Sequence, residues 1–428
     1  MKKVLVITYY WPPSGGSGVQ RWVKFAKYLP AEGWQPVIYT PENPESPGKD
    51  TTLQADIPSG TEVIKTHISE IYGIYRKLSR GGDKQVNPIN HQKKSLGQKA
   101  AMWIRGNLFI PDPRVSWVRP SVRFLKKYLK EHPVDVIVST GPPHSMHLIA
   151  RKVARATGIP WVADFRDPWT KMFYFKHLHL SEKSLRKHQE LEQQVLDDAT
   201  VVVAVSPMVR DEFAAMTKTP VKLVTNGFDP DDFAGAASDA LPEGFFHLVH
   251  TGLFAMDGNP ERLWKVLRSK CKEDKEFAAK MRIVLAGKTD ASVVASITDA
   301  GLKENLQDLG YQPHDTVVRL QSSASVLMLP LRKEPEYRAT LPGKLFEYLG
   351  ARRPVLGIGQ TDGAMARVLA ETASGRTFDW KDETGIRQYI DNCWERFKAG
   401  TLDIPQRDIS KYSRPRAAHD MAEVFNRL

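Results

Sequence analysis

The chain has 428 residues, more than a single core of about 250–300 residues holds, so two domains are expected. It is 41% hydrophobic and 26% charged, an ordinary globular composition; its two cysteines, Cys271 and Cys393, are too few and too far apart for a disulfide framework or a metal-ligand pattern, and suit a reducing compartment. The apolar run after Met1 is too short for a signal-peptide core, and no stretch reaches about 18 uncharged apolar residues, so a cytoplasmic chain, soluble or peripheral at the inner face of the plasma membrane, is expected.

In chain order, Val4–Tyr9 is a short apolar, β-branched run of the kind buried on both faces of a sheet. Pro12-Pro13-Ser14-Gly15-Gly16-Ser17-Gly18 follows, and then Val19, Trp22, Val23, Ala26 and Leu29 recur at helical spacing. Strand, glycine loop and helix open a doubly wound α/β domain. Pro36–Thr40 is a second strand. Residues 43–115 show no comparable rhythm and many turn formers. Residues 65–130 hold 15 Lys or Arg against three acids (Glu70, Asp83 and Asp112), an excess equal to the whole net charge of +12. Such a field attracts polyanions or anionic lipid head groups, although a solvated surface loop reads the same way.

Regular order returns with a basic helix near Pro120–Glu131 and the strand Asp135–Ser139. That strand ends in Thr140-Gly141-Pro142-Pro143-His144 and leads into a helix over about Ser145–Thr157. The strand Pro160–Asp164 ends in Asp164-Phe165-Arg166-Asp167-Pro168-Trp169. A polar helix near Ser181–Asp197, the strand Thr200–Val205 and the strand Val221–Thr225 complete the first series. Residues 230–244 read as a linker. A second α/β series has strands at Phe246–His250, Arg282–Ala286, Gln307–Tyr311, Ser325–Pro330 and Pro354–Ile358, the last closing the series. Helices cover about Lys344–Ala351 and Arg414–Leu428.

Alternating helices and buried strands imply mostly parallel sheets, whose ligands sit outside the C-terminal strand ends. The unusual clusters fall at those ends. Gly15-Gly16 precedes a helix whose free N–H groups suit an anion, or is simply a packing turn. His144 can donate to a sugar hydroxyl or a developing charge, or cap its helix. Arg166-Asp167 offers a carboxylate to acceptor hydroxyls, or an internal ion pair that shapes the loop. His144 and His147 lack a third convergent ligand, so no metal site is expected. Arg338 and Lys344 flank Thr340-Leu341-Pro342-Gly343. A diphosphate would meet the helix amides and the Lys344 charge together, and Glu347 offers two acceptor oxygens to a ribose; a surface helix with a stray Glu is the plainer alternative.

This constellation resembles the retaining, nucleotide-sugar-dependent glycosyltransferases of the GT-B fold, in particular their large bacterial fourth family. The likeness is carried by Pro12–Gly16, Ser139–His144, Val162–Trp169, Thr225–Asp229 and His250-Thr251-Gly252. Its most specific piece is Pro342-Gly343-Lys344-Leu345-Phe346-Glu347-Tyr348-Leu349 with Arg353-Pro354-Val355-Leu356. The resemblance implies two facing Rossmann-like domains with a cleft between them. An acceptor domain would cover 1–232, a donor-nucleotide domain 245–408, and a helix over 409–428 would return to the first domain.

It further implies transfer of a hexosyl unit from a nucleoside-diphosphate sugar, with UDP or GDP as carrier, to a sugar or lipid-linked acceptor. Cell-surface polysaccharide or glycolipid would be the product, made without a metal or other cofactor. The donor side would collect Gly15, Gly16, Gly252, Lys288, Tyr311, Gln312, Arg338, Thr340, Gly343, Lys344, Leu345 and Glu347. His144, Asp167 and Arg166 would serve the transferred sugar and the acceptor. The basic segment, with Trp103, Phe109 and Trp117 interleaved, would meet an anionic membrane rather than nucleic acid, for which no recognition module is present. The chain departs from the family at Ala339, eight positions before Glu347, where many relatives carry a Glu near the sugar. An epimerase of the same fold, or a nucleotide-binding pseudoenzyme, would share most of this pattern.

Overall fold

The computed structural model describes residues 1–15, 17–45, 52–69, 96–235, 239–402 and 407–428. Gly16 and residues 70–95 of the basic segment therefore lie outside the described residues. Contacts divide the chain into two compact units: Met1–Thr225 together with Ala417–Leu428, and Asn226–Arg416. The sequence had put the junction some way further on, between 232 and 245. The residues there include a one-turn helix, Pro230–Phe233, capped by the Asp229 carboxylate, which accepts from the Asp231 amide at 3.1 Å.

The first unit holds a seven-stranded sheet of β1 (Lys2–Ile7), β2 (Trp34–Pro41), β3 (Glu62–Thr66), β4 (Val136–Gly141), β5 (Trp161–Phe165), β6 (Val201–Ala204) and β7 (Val221–Leu223). Every pairing is parallel and the order is β3-β2-β1-β4-β5-β6-β7. The order reverses direction between β1 and β4, which opens a crevice at their carboxyl ends. Val4, Val6, Val138 and Val162 are fully buried because helices cover both faces. On one face the helix Ser17–Tyr28 buries Val19, Trp22, Val23 and Ala26, as their spacing predicts. The C-terminal residues Ala417, Ala418, Met421 and Phe425 join this core, with the Phe425 ring 5.1 Å from Trp34.

The second unit repeats the plan with β8 (Phe246–Thr251), β9 (Met281–Ala286), β10 (Leu306–Gly310), β11 (Val326–Pro330), β12 (Val355–Ile358) and β13 (Gly375–Phe378). The order is β10-β9-β8-β11-β12-β13, again all parallel, with its reversal between β8 and β11.

Three expectations need correction. Residues 43–115 are not without order: they hold β3 and the helix Leu96–Leu108. The strand ending at Ile358 does not close the second sheet, because β13 pairs beyond it. Trp117 does not face outward: it is fully buried, stacked on Tyr39 at 4.9 Å, and its indole N–H donates to Thr66 Oγ1 at 3.1 Å. Only Trp103 of the three aromatic residues is clearly exposed, at 45%.

Candidate functional site

Each sheet gathers polar residues at its own switch point. In the second unit, the helix Gly343–Ala351 begins after Pro342 with no side-chain cap. The Leu345 amide donates to the Pro342 carbonyl at 3.0 Å, and ahead of it the amides of Gly343 and Lys344 stand at the positive end of the helix dipole. A Cβ placed on Gly343 would meet nothing within 4 Å, so the space in front of this helix start is open. Lys344 stands in the first turn. Its Nζ donates to the Leu253 carbonyl at 2.9 Å and to His250 Nε2 at 3.2 Å. Enclosure pulls its pKa down to about 8, against the raising influence of the Glu347 carboxylate.

The partner of Lys344, His250, is 1% exposed at the end of β8. Its Nδ1 lies 3.0 Å from the Met328 carbonyl and its Nε2 a longer 3.4 Å from the Leu253 carbonyl; both carbonyls can only accept, and the shorter contact favours the proton on Nδ1, with Nε2 accepting from Lys344. Burial and the adjacent ammonium hold the imidazole well below its ordinary pKa, hence neutral. One turn beyond Lys344, Glu347 Oε2 accepts from Gln321 Nε2 at 3.0 Å, and the same amide donates to Thr251 Oγ1 at 3.0 Å. The buried Tyr348 hydroxyl accepts from the Thr251 amide at 3.0 Å, locking the helix to the strand end.

Two glycines make this possible. Gly252 has φ +83°, and a Cβ there would come within 3.4 Å of Lys344 Nζ. Gly287 has φ +140°, and a Cβ there would lie 2.3 Å from the Gly252 carbonyl oxygen. Only a residue without a side chain lets the two loops run this close.

In the first unit, His144 is 4% exposed at the start of the helix Ser145–Thr157, its ring stacked on Trp169 at 4.5 Å. It does not cap that helix. Asp112 does, accepting from the Ser145 amide at 2.9 Å and the Ser145 hydroxyl at 2.8 Å. Neither ring nitrogen of His144 has a hydrogen-bond partner among the described residues. Burial first, then the charges of its neighbours, hold it neutral, well below its ordinary pKa. His147 is anchored differently, with Nδ1 2.8 Å from Ser139 Oγ, and burial takes its pKa down to about 3.

Arg166 donates to the Pro142 carbonyl, so an Arg–carbonyl bond helps to shape the loop beside the electrostatic attraction between Arg166 and Asp167. Burial pushes the Asp167 carboxyl up, opposed by Arg166. The Trp169 amide donates to the buried Glu192 at 3.2 Å, which holds this loop in place. Tyr10, Arg105, Asp112, Pro142, Pro143, His144, Tyr174 and Phe175 line one pocket. Asp164, deep in the sheet, is structural. Burial alone would raise its pKa, but the Arg21 guanidinium at 2.9 Å and bonds from Trp22 and Thr140 hold it below the usual carboxylate range.

The structure therefore gathers Gly252, Gly343, Lys344 and Glu347 in one place, and His144, Arg166 and Asp167 in another. It leaves others aside. Leu345 is fully buried in the core, so only its backbone is available. Arg338 pairs with Asp362 at 2.6 Å on the surface. Tyr311 is 72% exposed, Gln312 donates to the Leu309 carbonyl at 2.7 Å, and Lys288 is exposed. Thr340 is half-buried, its amide bonded to the Tyr337 carbonyl at 3.0 Å, and Gly15 is buried beside the undescribed Gly16. Sequence reasoning missed His250 and Gln321 as supports of Lys344 and Glu347, and Asp112, which only its isolation in a basic stretch could have flagged. Among the described residues, no group of three or more His, Cys, Asp or Glu is arranged to hold a metal ion, and no helix is long and apolar enough to cross a membrane.

Two parallel six- and seven-stranded Rossmann-like sheets in one chain define the GT-B class, and solved glycosyltransferase structures share this fold over the whole length. A glycosyltransferase from Rickettsia africae ESF-5 matches with a TM-score of 0.62 at 13% identity, covering 100% of this chain and 98% of that one. Sucrose-phosphate synthase from Thermosynechococcus elongatus matches with a TM-score of 0.64 at 14% identity, covering 100% and 99%. WaaG, a glycosyltransferase involved in lipopolysaccharide biosynthesis, matches with a TM-score of 0.58 at 14% identity, covering 99% of each chain. Residues 92–232 match the family described as Glycosyltransferase Family 4, in line with the resemblance drawn from the motifs. No curated protein matches the chain.

Proposed function

We propose that the chain is a retaining, metal-independent hexosyltransferase that uses a nucleoside-diphosphate sugar, with UDP or GDP as the nucleotide. The observation that carries this reading is the pairing of an uncapped, open helix start with Lys344 in its first turn and Glu347 one turn on. The helix amides and the ammonium suit the diphosphate, and the carboxylate suits the ribose hydroxyls. The bond from the anomeric carbon to the diphosphate oxygen breaks, a bond to the acceptor oxygen forms on the same face, and the acceptor proton passes to the departing diphosphate. Positive charge and fixed amides stabilise that leaving group without a metal. In the first unit, a neutral His144 with neither nitrogen bonded among the described residues is fit to bond sugar hydroxyls, and the Asp167 carboxyl to bond an acceptor.

The acceptor is proposed to be a sugar or lipid-linked sugar of the cell surface, met at an anionic membrane. WaaG, one of the similar folds, is involved in lipopolysaccharide biosynthesis. Arg119, Arg123, Lys126, Lys127 and Lys130 are all exposed and form one stripe at helical spacing along Val118–Glu131. Such a stripe suits anionic head groups. Ala339 favours the rival reading of a nucleotide-binding pseudoenzyme, and turnover decides between the two. A thermal-shift screen of UDP, GDP, TDP, ADP and their sugars is expected to single out one base, because a ligand bound at 100 times its Kd stabilises by about 2.7 kcal/mol. That nucleotide sugar should then be consumed with an acceptor glycan. A bound donor that is never consumed would leave the pseudoenzyme; a donor isomerised without an acceptor would indicate the epimerase.

A further inference from the structure

We infer that His250 and Gln321 are positioning residues of the donor site: His250 aims the Lys344 ammonium at the diphosphate, and Gln321 fixes the Glu347 carboxylate for the ribose. The inference rests on the reading of this site as a nucleotide-sugar site and adds to it a division of labour.

Neither residue would touch the nucleotide; each grips a residue that does. A free lysine side chain samples many rotamers, and ordering it costs conformational entropy. Here two of the three N–H groups of Lys344 are committed, to Leu253 O at 2.9 Å and to His250 Nε2 at 3.2 Å, which leaves one for a ligand. His250 can serve only in the tautomer protonated at Nδ1, and the Met328 carbonyl at 3.0 Å favours it. Burial keeps the ring neutral, so it accepts from the ammonium instead of repelling it.

Gln321 is 0% exposed, on the helix His314–Ser322. Its Nε2 reaches Glu347 Oε2 and Thr251 Oγ1, both at 3.0 Å. A glutamine makes this bond without bringing a charge to the carboxylate, and it engages one oxygen only. Glu347 Oε1 takes no hydrogen bond from the described residues. Thr251 also holds Tyr348 through its amide, so both grips converge on the end of β8.

Isothermal titration of the full chain with UDP, GDP, their 2′-deoxy forms and inorganic pyrophosphate separates the two grips. His250→Leu is expected to weaken pyrophosphate and the diphosphates about tenfold, the worth of a hydrogen bond to a charged group. It should leave the ribo-to-deoxy preference unchanged. His250→Gln, whose amide oxygen can accept where Nε2 does, should restore most of the affinity. Gln321→Met should leave pyrophosphate unchanged and bring the ribo-to-deoxy preference towards one. Packing roles alone would weaken all ligands in parallel with a fall in Tm, or change none, and either result overturns the inference. Wild-type protein that binds neither UDP nor GDP would bring down the donor-site reading itself.

Discussion

The two units are built on the same strand order around the switch point, yet their strand ends carry opposite chemistry. The end of β8 faces a lysine, a glutamate and an uncapped helix start, all half-exposed. The end of β4 carries two buried, neutral imidazoles, and the neighbouring end of β5 a carboxyl whose proton affinity is raised by burial. Under the proposed reading, one plan would serve two tasks: the half-exposed lysine and open helix start suit an anion, and the buried imidazoles suit sugar hydroxyls. The difference lies in residues at the strand ends rather than in the sheets.

The largest expected effect breaks the first unit alone. Asp164→Ala leaves the buried Arg21 charge without its carboxylate, which costs about 3–5 kcal/mol. Thermal unfolding should show that loss, while UDP or GDP affinity, measured well below the transition, should hold. His144→Phe should leave the fold stable and nucleotide affinity unchanged but lower turnover by about 10²-fold, as loss of one positioned hydrogen-bond donor does. Gly287→Ala strikes the second unit. It forces a left-handed backbone and a clash with the Gly252 carbonyl, so a loss of at least about 1–3 kcal/mol and weaker nucleotide binding are expected by calorimetry.

The smallest effect is on pH. Lys344 is cationic below about pH 8 and loses its charge above it. Once the nucleotide's own terminal phosphate is ionised, above about pH 7, diphosphate affinity should fall as pH rises through about 8. Lys344→Met should abolish that bend, and a bend that persists would assign it to another group.

The sheets were legible because parallel strands covered on both faces read as unbroken apolar runs, such as Val4–Ile7 and Val201–Ala204. β3 and β13 escaped because they are edge strands with exposed polar residues: Lys65 and Arg376 face outward where an interior strand would carry Val or Ile. The helix that carries Lys344 and Glu347 was legible because Pro342 and Gly343 mark its start, and it runs over Gly343–Ala351. His250 and Gln321 were not, because their roles depend on hydrogen bonds across 94 and 26 residues of chain. Arg338 shows the converse: its charge and nearness in sequence suggested a phosphate ligand, and it turns instead to Asp362.

The most direct test of the donor grip is titration of UDP and GDP into the wild-type protein, Lys344→Ala and Glu347→Ala at pH 7. The account predicts that one nucleotide binds the wild type, that each variant binds it at least about tenfold more weakly, and that the unliganded Tm is little changed. Variants that bind as tightly as the wild type would contradict it.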